Sequence, residues 1–255
     1  FSLGIDLSTQ SVTAIIAHRN SASGDFECVQ RVSANFDLDF PQYSTKSGMH
    51  VHQDGRVTSP VMMWLEGIDV VFAKLDKSIL NQVIAISVSG QQHGSVYWRT
   101  GAAQTLANLQ SGLSLRENLR DHFAINDSPI WADSSTTAYC KTLEEAMGGP
   151  GRLADLTGST AYERFTGPQI ARIVKERSCE WAACERVSLV SSFAVSLLFQ
   201  AYAPIDAADA SGMNLMDLRS REWIPTACAS VAGDADAGAA LQARLGPVAD
   251  PNTVL

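Results

Sequence analysis

The chain has 255 residues, of which 45% are hydrophobic and 18% charged, so it can bury a sizeable core in one large domain. Its 19 basic and 27 acidic residues give a formal net charge of −8, which argues against non-specific binding to nucleic acid. The five cysteines include no Cys-x-x-Cys pair, which favours free thiols in a reducing compartment over disulfides or a zinc site. The most apolar stretch, residues 189–202, is too short to span a bilayer. We therefore expect a cytoplasmic protein that binds neither nucleic acid nor membrane.

The N-terminal segment, residues 3–17, predicts a β-hairpin, because two apolar runs flank a short polar turn. Asp6 falls inside the first run, where an unpaired buried carboxylate would be costly. We therefore expect it at the exposed end of the strand, or paired with a metal ion or another cation. In the turn, Ser8, Thr9 and Gln10 offer hydroxyl, amide and backbone N–H donors that can bind a phosphate. The alternative is that Asp6 only caps the turn.

Downstream, short apolar runs alternate with segments of helical spacing, which predicts an α/β fold. A helix over residues 60–75 follows Ser59, a residue that suits the N-cap position. His50 and His52 could share a strand face as metal ligands, but no third ligand with suitable spacing is evident, so no metal is expected there. The other predicted features are a strand at 28–34, an insertion at about 101–128 with a helix over about 114–123, helices at 136–146, 169–176 and 190–201, a closing hairpin of 210–218 with 222–224, and a surface linker at 233–240.

Residues 83–88 predict a buried strand that leads into a loop bounded by Gly90 and Gly94. These glycines would let the backbone turn tightly and approach a small ligand. Three side chains between them can donate and accept hydrogen bonds from one small patch, namely Gln91, Gln92 and His93. Such a set suits a polyhydroxylated ligand such as a sugar. The alternative is a strand that ends in an ordinary polar surface loop.

These two segments resemble parts of the FGGY carbohydrate kinases. Residues 4–10 are similar to the first phosphate-binding hairpin of that family, and residues 87–94 to the sugar-site loop of its xylulokinase branch. Further segments match in the expected order, at 129–136, 158–167, 186–193 and 209–215. The resemblance spans residues 3 to about 245, and its motifs are specific in combination. The Gln-Gln-His variant of the loop resembles the eukaryotic type of xylulokinase.

The resemblance implies a ribonuclease-H-like (actin-like ATPase) domain, with a mixed sheet flanked by helices. It implies the use of ATP and Mg²⁺ to phosphorylate D-xylulose, giving D-xylulose 5-phosphate. It assigns the ketose to Gln92, His93 and Arg164, the transferring phosphate to Ser8, Thr9 and Gln10, and Mg²⁺ to Asp6. The guanidinium of Arg164 suits vicinal hydroxyls because its donors form a rigid fork, although a salt bridge to Glu163 or Asp155 is an alternative.

The same resemblance places the catalytic base outside this chain. In the family, the catalytic aspartate lies in a Gly-Asp-Asn segment of a C-terminal domain that also binds adenine, and no Gly-Asp-Asn occurs here. We therefore expect residues 1–255 to form the N-terminal domain, inactive by itself, with the C-terminal domain as its partner. Asp209 could be taken for a catalytic base, because the glycine close to it suggests a tight site. The resemblance instead implies that its segment mainly supports this domain near the cleft. Trp131 and Asp133, on the sugar side in family members, are also left out of the catalytic set.

Other functions stay open at this point. A kinase for another pentulose such as D-ribulose fits the same motifs, because the discriminating contacts are few and lie partly in the second domain. A non-catalytic sugar-binding module on the same fold is a further alternative, against which the retained His93, Arg164 and Asp6 count. A nuclease on the ribonuclease-H fold is excluded, because it needs several carboxylates that converge on paired metals and only Asp6 is suitably placed.

Overall fold

The computed structural model describes residues 1–21 and 23–255 and is built from strands and helices. The strands are β1 (Ser2–Leu7), β2 (Ser11–Arg19), β3 (Phe26–Asn35), β4 (His50–Val51), β5 (Val57–Pro60), β6 (Ala85–Gly90), β7 (Ser95–Arg99), β8 (Phe123–Ile125), β9 (Asp127–Pro129), β10 (Cys184–Leu189), β11 (Ile205–Asp206) and β12 (Val248–Ala249). The helices are α1 (Phe36–Asp39), α2 (Val61–Lys74), α3 (Lys77–Leu80), α4 (Ala102–Leu106), α5 (Leu115–Leu119), α6 (Thr137–Ala146), α7 (Pro150–Thr157), α8 (Thr166–Glu176), α9 (Ser178–Ala182), α10 (Val190–Phe199), α11 (Ala207–Ala210), α12 (Pro225–Ala232) and α13 (Ala235–Leu245). Short 3₁₀ turns cover Pro41–Tyr43 and Ser211–Met213.

The largest sheet has the strand order β3-β2-β1-β6. β1 and β2 form the predicted antiparallel hairpin, while β6 lies parallel to β1. Side chains alternate between the two faces of a strand, so Leu3, Ile5 and Leu7 of β1 are buried in one apolar core with α2 and α10. Asp6 lies on the opposite face and is exposed near the carboxyl end of β1, one of the two situations predicted for it.

The prediction that residues 83–88 form a buried strand is wrong. β6 begins at Ala85, continues to Gly90 and lies at the edge of the sheet. Ile84 and Ile86 are 89% and 49% exposed. Apolar and β-branched residues are common in edge strands as well as in central ones, so composition alone could not show which of the two this strand is.

The glycines of the following loop make room for a helix. A Cβ at Gly90 would lie 2.7 Å from the backbone N of Ser191, and a Cβ at Gly94 would lie 2.8 Å from a methyl of Val190. Both neighbours belong to the first turn of α10. The tight turn falls instead on His93, whose φ is 66°. The space where a side chain would lie at Gly90 and Gly94 is therefore occupied by α10.

A second apolar core forms around β10, α8, α12 and α13. β10 pairs with β7, and β7 pairs with β8, in an antiparallel sheet. Residues 91–94 connect β6 of the first sheet to β7 of the second. The loop between the two cores is thus held at both ends by strands, which suits a site that needs fixed side chains.

Two predicted details of the helices are wrong. Ser59 does not cap α2, because its hydroxyl donates to the carbonyl of Gly48 (2.8 Å) and Pro60 occupies the N-cap position. The helix predicted over 114–123 ends at Leu119, ahead of strand β8.

The predictions for the last quarter of the chain also need correction. The closing hairpin expected over 210–224 is reduced to a single bridge between Met216 and Trp223. The surface linker expected at 233–240 is mostly part of α13, where a Cβ at Gly238 would lie 2.7 Å from the backbone of α12. Small residues here serve close packing of two helices, a role that composition does not distinguish from a linker.

Within residues 1–21 and 23–255, no helix is long and apolar enough to cross a membrane. The same residues contain no group of three or more His, Cys, Asp or Glu that could hold a metal ion. The five cysteines are free thiols. The ring Nε2 of His50 lies 2.8 Å from the Tyr43 carbonyl, and that of His52 lies 2.8 Å from the Thr58 hydroxyl, so each ring has a structural partner.

Candidate functional site

A cavity of about 520 Å³ opens where β1 and β6 end. Because the carboxyl ends of adjacent parallel strands lie at the same edge of a sheet, the residues that follow them meet there. The cavity is lined by Ser8, Thr9, Gln10, Gly90, Gln91, Gln92, His93, Trp131 and Arg164. The structure therefore brings together the predicted site residues of three separate segments, and Asp6 lies beside this lining through a hydrogen bond from Ser8.

The carboxylate of Asp6 is held by two hydroxyls. Its Oδ2 accepts from Ser8 Oγ (2.5 Å) and its Oδ1 from Ser89 Oγ (3.0 Å). Asp6 and Ser89 are directly opposite in the parallel register of β1 and β6. Ser89 is not among the predicted site residues, because only the register of β1 and β6 places it beside Asp6. Exposed and held in one orientation, the carboxylate is available to a cation or to bound water.

Thr9 joins the hairpin turn to the opposite wall of the cavity. Its Oγ1 accepts from the indole Nε1 of Trp131 (2.9 Å) and donates to Gln91 Oε1 (3.4 Å). An indole N–H can only donate, so the direction of the first hydrogen bond is fixed and the hydroxyl proton is free for the second. Trp131 is not among the predicted site residues, yet it is 41% exposed and lines the cavity.

The imidazole of His93 is fixed on two sides. Its Nδ1 lies 3.2 Å from the carbonyl oxygen of Gly212, and its ring centroid lies 4.7 Å from that of Phe165. Burial lowers the pKa of His93; the hydrogen bond to Gly212 opposes this shift and the nearby charge of Arg164 adds to it. The net shift is downward, so the ring is neutral at physiological pH.

Arg164 faces the cavity with its donors unused. Its guanidinium carbon lies 4.3 Å from the ring centroid of Tyr162, a cation–π contact that orients the planar group. Within the described part of the chain it makes no hydrogen bond or ion pair, and Glu163 instead accepts from the Thr137 hydroxyl (3.0 Å). The salt bridge considered as an alternative for Arg164 is therefore not formed, which leaves the guanidinium available to a ligand.

Gln92 and Asp209 border a second cavity, of about 380 Å³, on the other side of His93. Gln92 is exposed and lines both cavities. Burial raises the pKa of Asp209, whose carboxylate accepts a hydrogen bond from Ser191 in α10. This partner ties the segment after β11 to the helix, which agrees with a supporting role for Asp209.

Comparison with known proteins gives a consistent picture. Residues 121–237 match the FGGY family of carbohydrate kinases, N-terminal domain. The chain is 46% identical to a xylulose kinase of Mus musculus over 224 residues, which are 87% of this chain and 40% of that protein. It is also 46% identical to xylulose kinase 2 of Arabidopsis thaliana over 234 residues, 90% of this chain and 41% of that protein. The chain thus spans about 40% of the length of these relatives.

Solved structures share the fold. A xyloylose kinase from Brucella ovis superposes with a TM-score of 0.70 at 15% identity, over 97% of this chain and 43% of that chain. A ligand-bound xylulose kinase from Lactobacillus acidophilus superposes with a TM-score of 0.67 at 14% identity, over 99% of this chain and 42% of that chain. This likeness confirms the predicted fold class, an actin-like ATPase domain with mixed sheets flanked by helices.

Proposed function

We propose that this chain, a member of the FGGY family of carbohydrate kinases, supplies the sugar site and the phosphate-binding turn of an enzyme that transfers a phosphate from ATP to D-xylulose. The product of that reaction is D-xylulose 5-phosphate. The observation that carries the proposal is that the turn at Ser8–Gln10 and the polar groups of His93 and Arg164 line one cavity. Phosphoryl transfer requires this proximity of the acceptor sugar and the phosphate.

The proposal assigns residues 1–255 to the N-terminal domain, with residues 101–128 as an insertion in it. It assigns the catalytic base and the adenine site to a C-terminal domain outside these residues. The span of about 40% of the relatives' length supports this division. The base would take the proton from the attacking sugar hydroxyl.

The sugar is held by groups of complementary chemistry. Neutral His93 can accept from a hydroxyl, and Arg164 can donate to sugar oxygens through its fixed fork. Gln92, on the rim, can do either. The exposed face of Trp131 adds an apolar surface to the same cavity.

Asp6, beside the turn, is chemically suited to bind Mg²⁺. Asp6 is a single exposed carboxylate, and no larger ligand group exists among the described residues. Mg²⁺ keeps several waters and is commonly held by one or two carboxylates together with substrate phosphates, so Asp6 suits a largely water-mediated contact. When bound, Mg²⁺ supplies charge neutralisation for the transferring phosphate. Ser8, Thr9 and Gln10 would orient the phosphate oxygens with their hydroxyl, amide and backbone donors.

The test is ATP turnover with D-xylulose and with D-ribulose. The 255-residue chain is compared with a longer chain that includes the C-terminal domain. Turnover by the longer chain alone, with preference for D-xylulose, is the expected result. Preference for D-ribulose would mean that the substrate is D-ribulose and not D-xylulose. Turnover by the 255-residue chain would mean that the catalytic base lies within these residues, with Asp209 as the first candidate.

Replacement of Arg164 tests the sugar contact. In the longer, two-domain chain, Arg164→Met keeps much of the side-chain length but removes the charge and all donors. The KM of that chain for D-xylulose is therefore expected to rise about 10- to 100-fold, equivalent to about 1.5–3 kcal/mol for charged hydrogen bonds. Arg164→Lys should recover only part of this, because an ammonium lacks the planar fork. Arg120→Met, at a guanidinium paired with exposed Asp121, is the matched control and should leave KM unchanged. Equal KM values for all variants would contradict the assignment.

The pH dependence of sugar binding tests the state of His93. Because its pKa lies below the ordinary 6.5, the ring stays mostly neutral as pH falls from about 8 to about 7, and affinity for D-xylulose should change little there. Below its lowered pKa the ring gains a charge that faces Arg164, and affinity should fall. Asp209, on the second cavity, has a raised pKa, so the His93→Asn variant is needed to separate the two groups. Calorimetric titration with D-xylulose measures this. The same acid loss in His93→Asn would assign the effect to Asp209.

A further inference from the structure

The hydrogen bond between His93 and Gly212 determines which ring nitrogen of His93 carries the proton. It joins residues 119 positions apart in the chain, with Nδ1 of the imidazole 3.2 Å from the Gly212 carbonyl oxygen. A carbonyl oxygen can only accept, so the proton of this hydrogen bond belongs to Nδ1. In a neutral imidazole with Nδ1 protonated, Nε2 carries the lone pair and can only accept.

The ring cannot readily adopt another arrangement. A Cβ on Gly212 would lie 2.7 Å from His93 Cε1 and 2.8 Å from Nδ1, so the backbone of Gly212 touches the ring edge. Phe165 covers one ring face at 4.7 Å between centroids. A flipped ring would place a carbon against the carbonyl and lose the hydrogen bond. Nε2 has no hydrogen-bond partner within residues 1–21 and 23–255, while His93 lines the cavity.

The other polar wall of the cavity has the opposite character. A guanidinium has donors only, and that of Arg164 is oriented by Tyr162 with none of its donors used by the described residues. A ligand oxygen at Arg164 must therefore accept, and a ligand atom at His93 Nε2 must donate. The hydroxyls of a ketose can both donate and accept, so they can bind either group. Its ketone oxygen can only accept, so of these two groups only Arg164 can bind it.

We propose that Gly212 is a positioning residue that fixes His93 as a hydrogen-bond acceptor, so that His93 Nε2 binds a sugar hydroxyl and the ketone oxygen lies on the Arg164 side. The proposal rests on the proposed sugar-binding function and specifies the orientation of the ketose. The Asp-Ala-Ser-Gly segment thereby acts on the sugar through the carbonyl of its glycine.

The first test does not need a substrate. In nitrogen NMR spectra of histidine-labelled protein, His93 should show a protonated Nδ1 and an unprotonated Nε2 at neutral pH. Its signals are identified by their loss in His93→Asn. A protonated Nε2, or a mixture of the two tautomers, would overturn the proposal whether or not the protein binds sugar.

The second test is a double-mutant cycle on D-xylulose affinity. The φ and ψ of Gly212, −88° and 20°, are accessible to alanine, so Gly212→Ala adds little backbone strain and acts through the ring. Gly212→Ala is expected to weaken D-xylulose binding about 10-fold in the parent protein and to have almost no effect in His93→Asn, whose shorter side chain leaves room for the methyl group. Equal losses in both backgrounds, or no loss in the parent, would overturn the positioning role.

The third test compares two ligands to distinguish the contact at His93 from the contact at Arg164. Xylitol replaces the ketone by a hydroxyl and keeps a hydroxyl for His93. Arg164→Met should therefore reduce the preference for D-xylulose over xylitol, whereas His93→Asn should weaken both ligands to the same extent. The reverse pattern would invert the proposed orientation. Failure of the parent protein to bind D-xylulose would refute the proposed function instead, and the tautomer would still be decided by the spectra.

Discussion

The Asp133→Ala variant is expected to lose about 3–5 kcal/mol of the free energy of unfolding, because it leaves a buried guanidinium without its counter-charge. Asp133 is 1% exposed and Arg172 is 6% exposed, and their ion pair measures 3.2 Å. The carboxylate also accepts from the backbone N of Val57 (3.0 Å), the backbone N of Ser135 (2.9 Å) and Nε2 of Gln169 (2.9 Å). One side chain thus ties β5 to α8. Urea unfolding followed by circular dichroism measures the loss.

Two further variants show whether the buried charge is the cause. In Asp133→Ala/Arg172→Met no charge is left unpaired, so part of the lost stability should return. Asp127→Ala, at an exposed carboxylate in β9, should change the free energy of unfolding by no more than about 0.5 kcal/mol. A loss below about 1 kcal/mol in Asp133→Ala, or no recovery in the double variant, would contradict the account.

The acid side of the stability curve provides an independent check. Burial tends to raise the pKa of Asp133, but hydrogen bonds from Gln169 and Ser135 and the charge of Arg172 outweigh it and hold the pKa below its ordinary value of 3.8. The folded protein therefore binds this proton less readily than the unfolded chain does. The contribution of Asp133 to stability is fully present above about pH 3.8 and is lost as pH falls through the lowered pKa.

The segment at 131–133 shows where sequence reasoning reached its limit. The motif gives no reason to treat Trp131 and Asp133 differently, yet the structure gives them different roles. Trp131 lines the cavity and donates to Thr9, whereas Asp133 is a buried anchor with no place in the cavity lining. The motif identified the segment as important, but the direction of each side chain depends on partners far away in the chain.

What the sequence could predict was local. The β1–β2 hairpin followed from apolar runs around a turn, and the family resemblance, which the comparisons bear out, followed from short motifs. The edge position of β6 did not follow, since it depends on which strand the fold places next to it. The contacts that Ser89, Trp131 and Gly212 make with the site were not predictable, because they join residues 83, 122 and 119 positions apart. The assignments of Gln92, His93, Arg164 and the hairpin residues to ligands stay predictions that the experiments above test.

The Gly48→Ala variant is expected to displace the turn at residues 8–10, to which we assign the phosphate. A Cβ at Gly48 would lie 1.9 Å from the carbonyl oxygen of Thr9, and the φ of Gly48 is 75°, in the region that favours glycine. Its N–H also donates to Asp37 Oδ1 (2.9 Å), so the loop cannot easily withdraw from the turn. We expect a loss of about 3 kcal/mol in stability from backbone strain and overpacking together. Turnover of the longer, two-domain chain should fall by about 100-fold or more, because the turn that would orient the phosphate moves.

Gly55→Ala is the control that separates the effect of backbone strain from the effect of displacing the turn at residues 8–10. Gly55 has a φ of 85°, but a Cβ there would meet nothing within 4 Å. That variant should therefore show only the backbone cost of about 1 kcal/mol, with turnover unchanged. If both variants lose the same stability and both keep the turnover of the parent chain, the contact between Gly48 and Thr9 does not fix the position of the turn at residues 8–10. If only Gly48→Ala loses turnover, the loop that contains Gly48 contributes to catalysis although none of its residues lines the cavity. It does so because it fixes the position of the turn at residues 8–10, which lines the cavity.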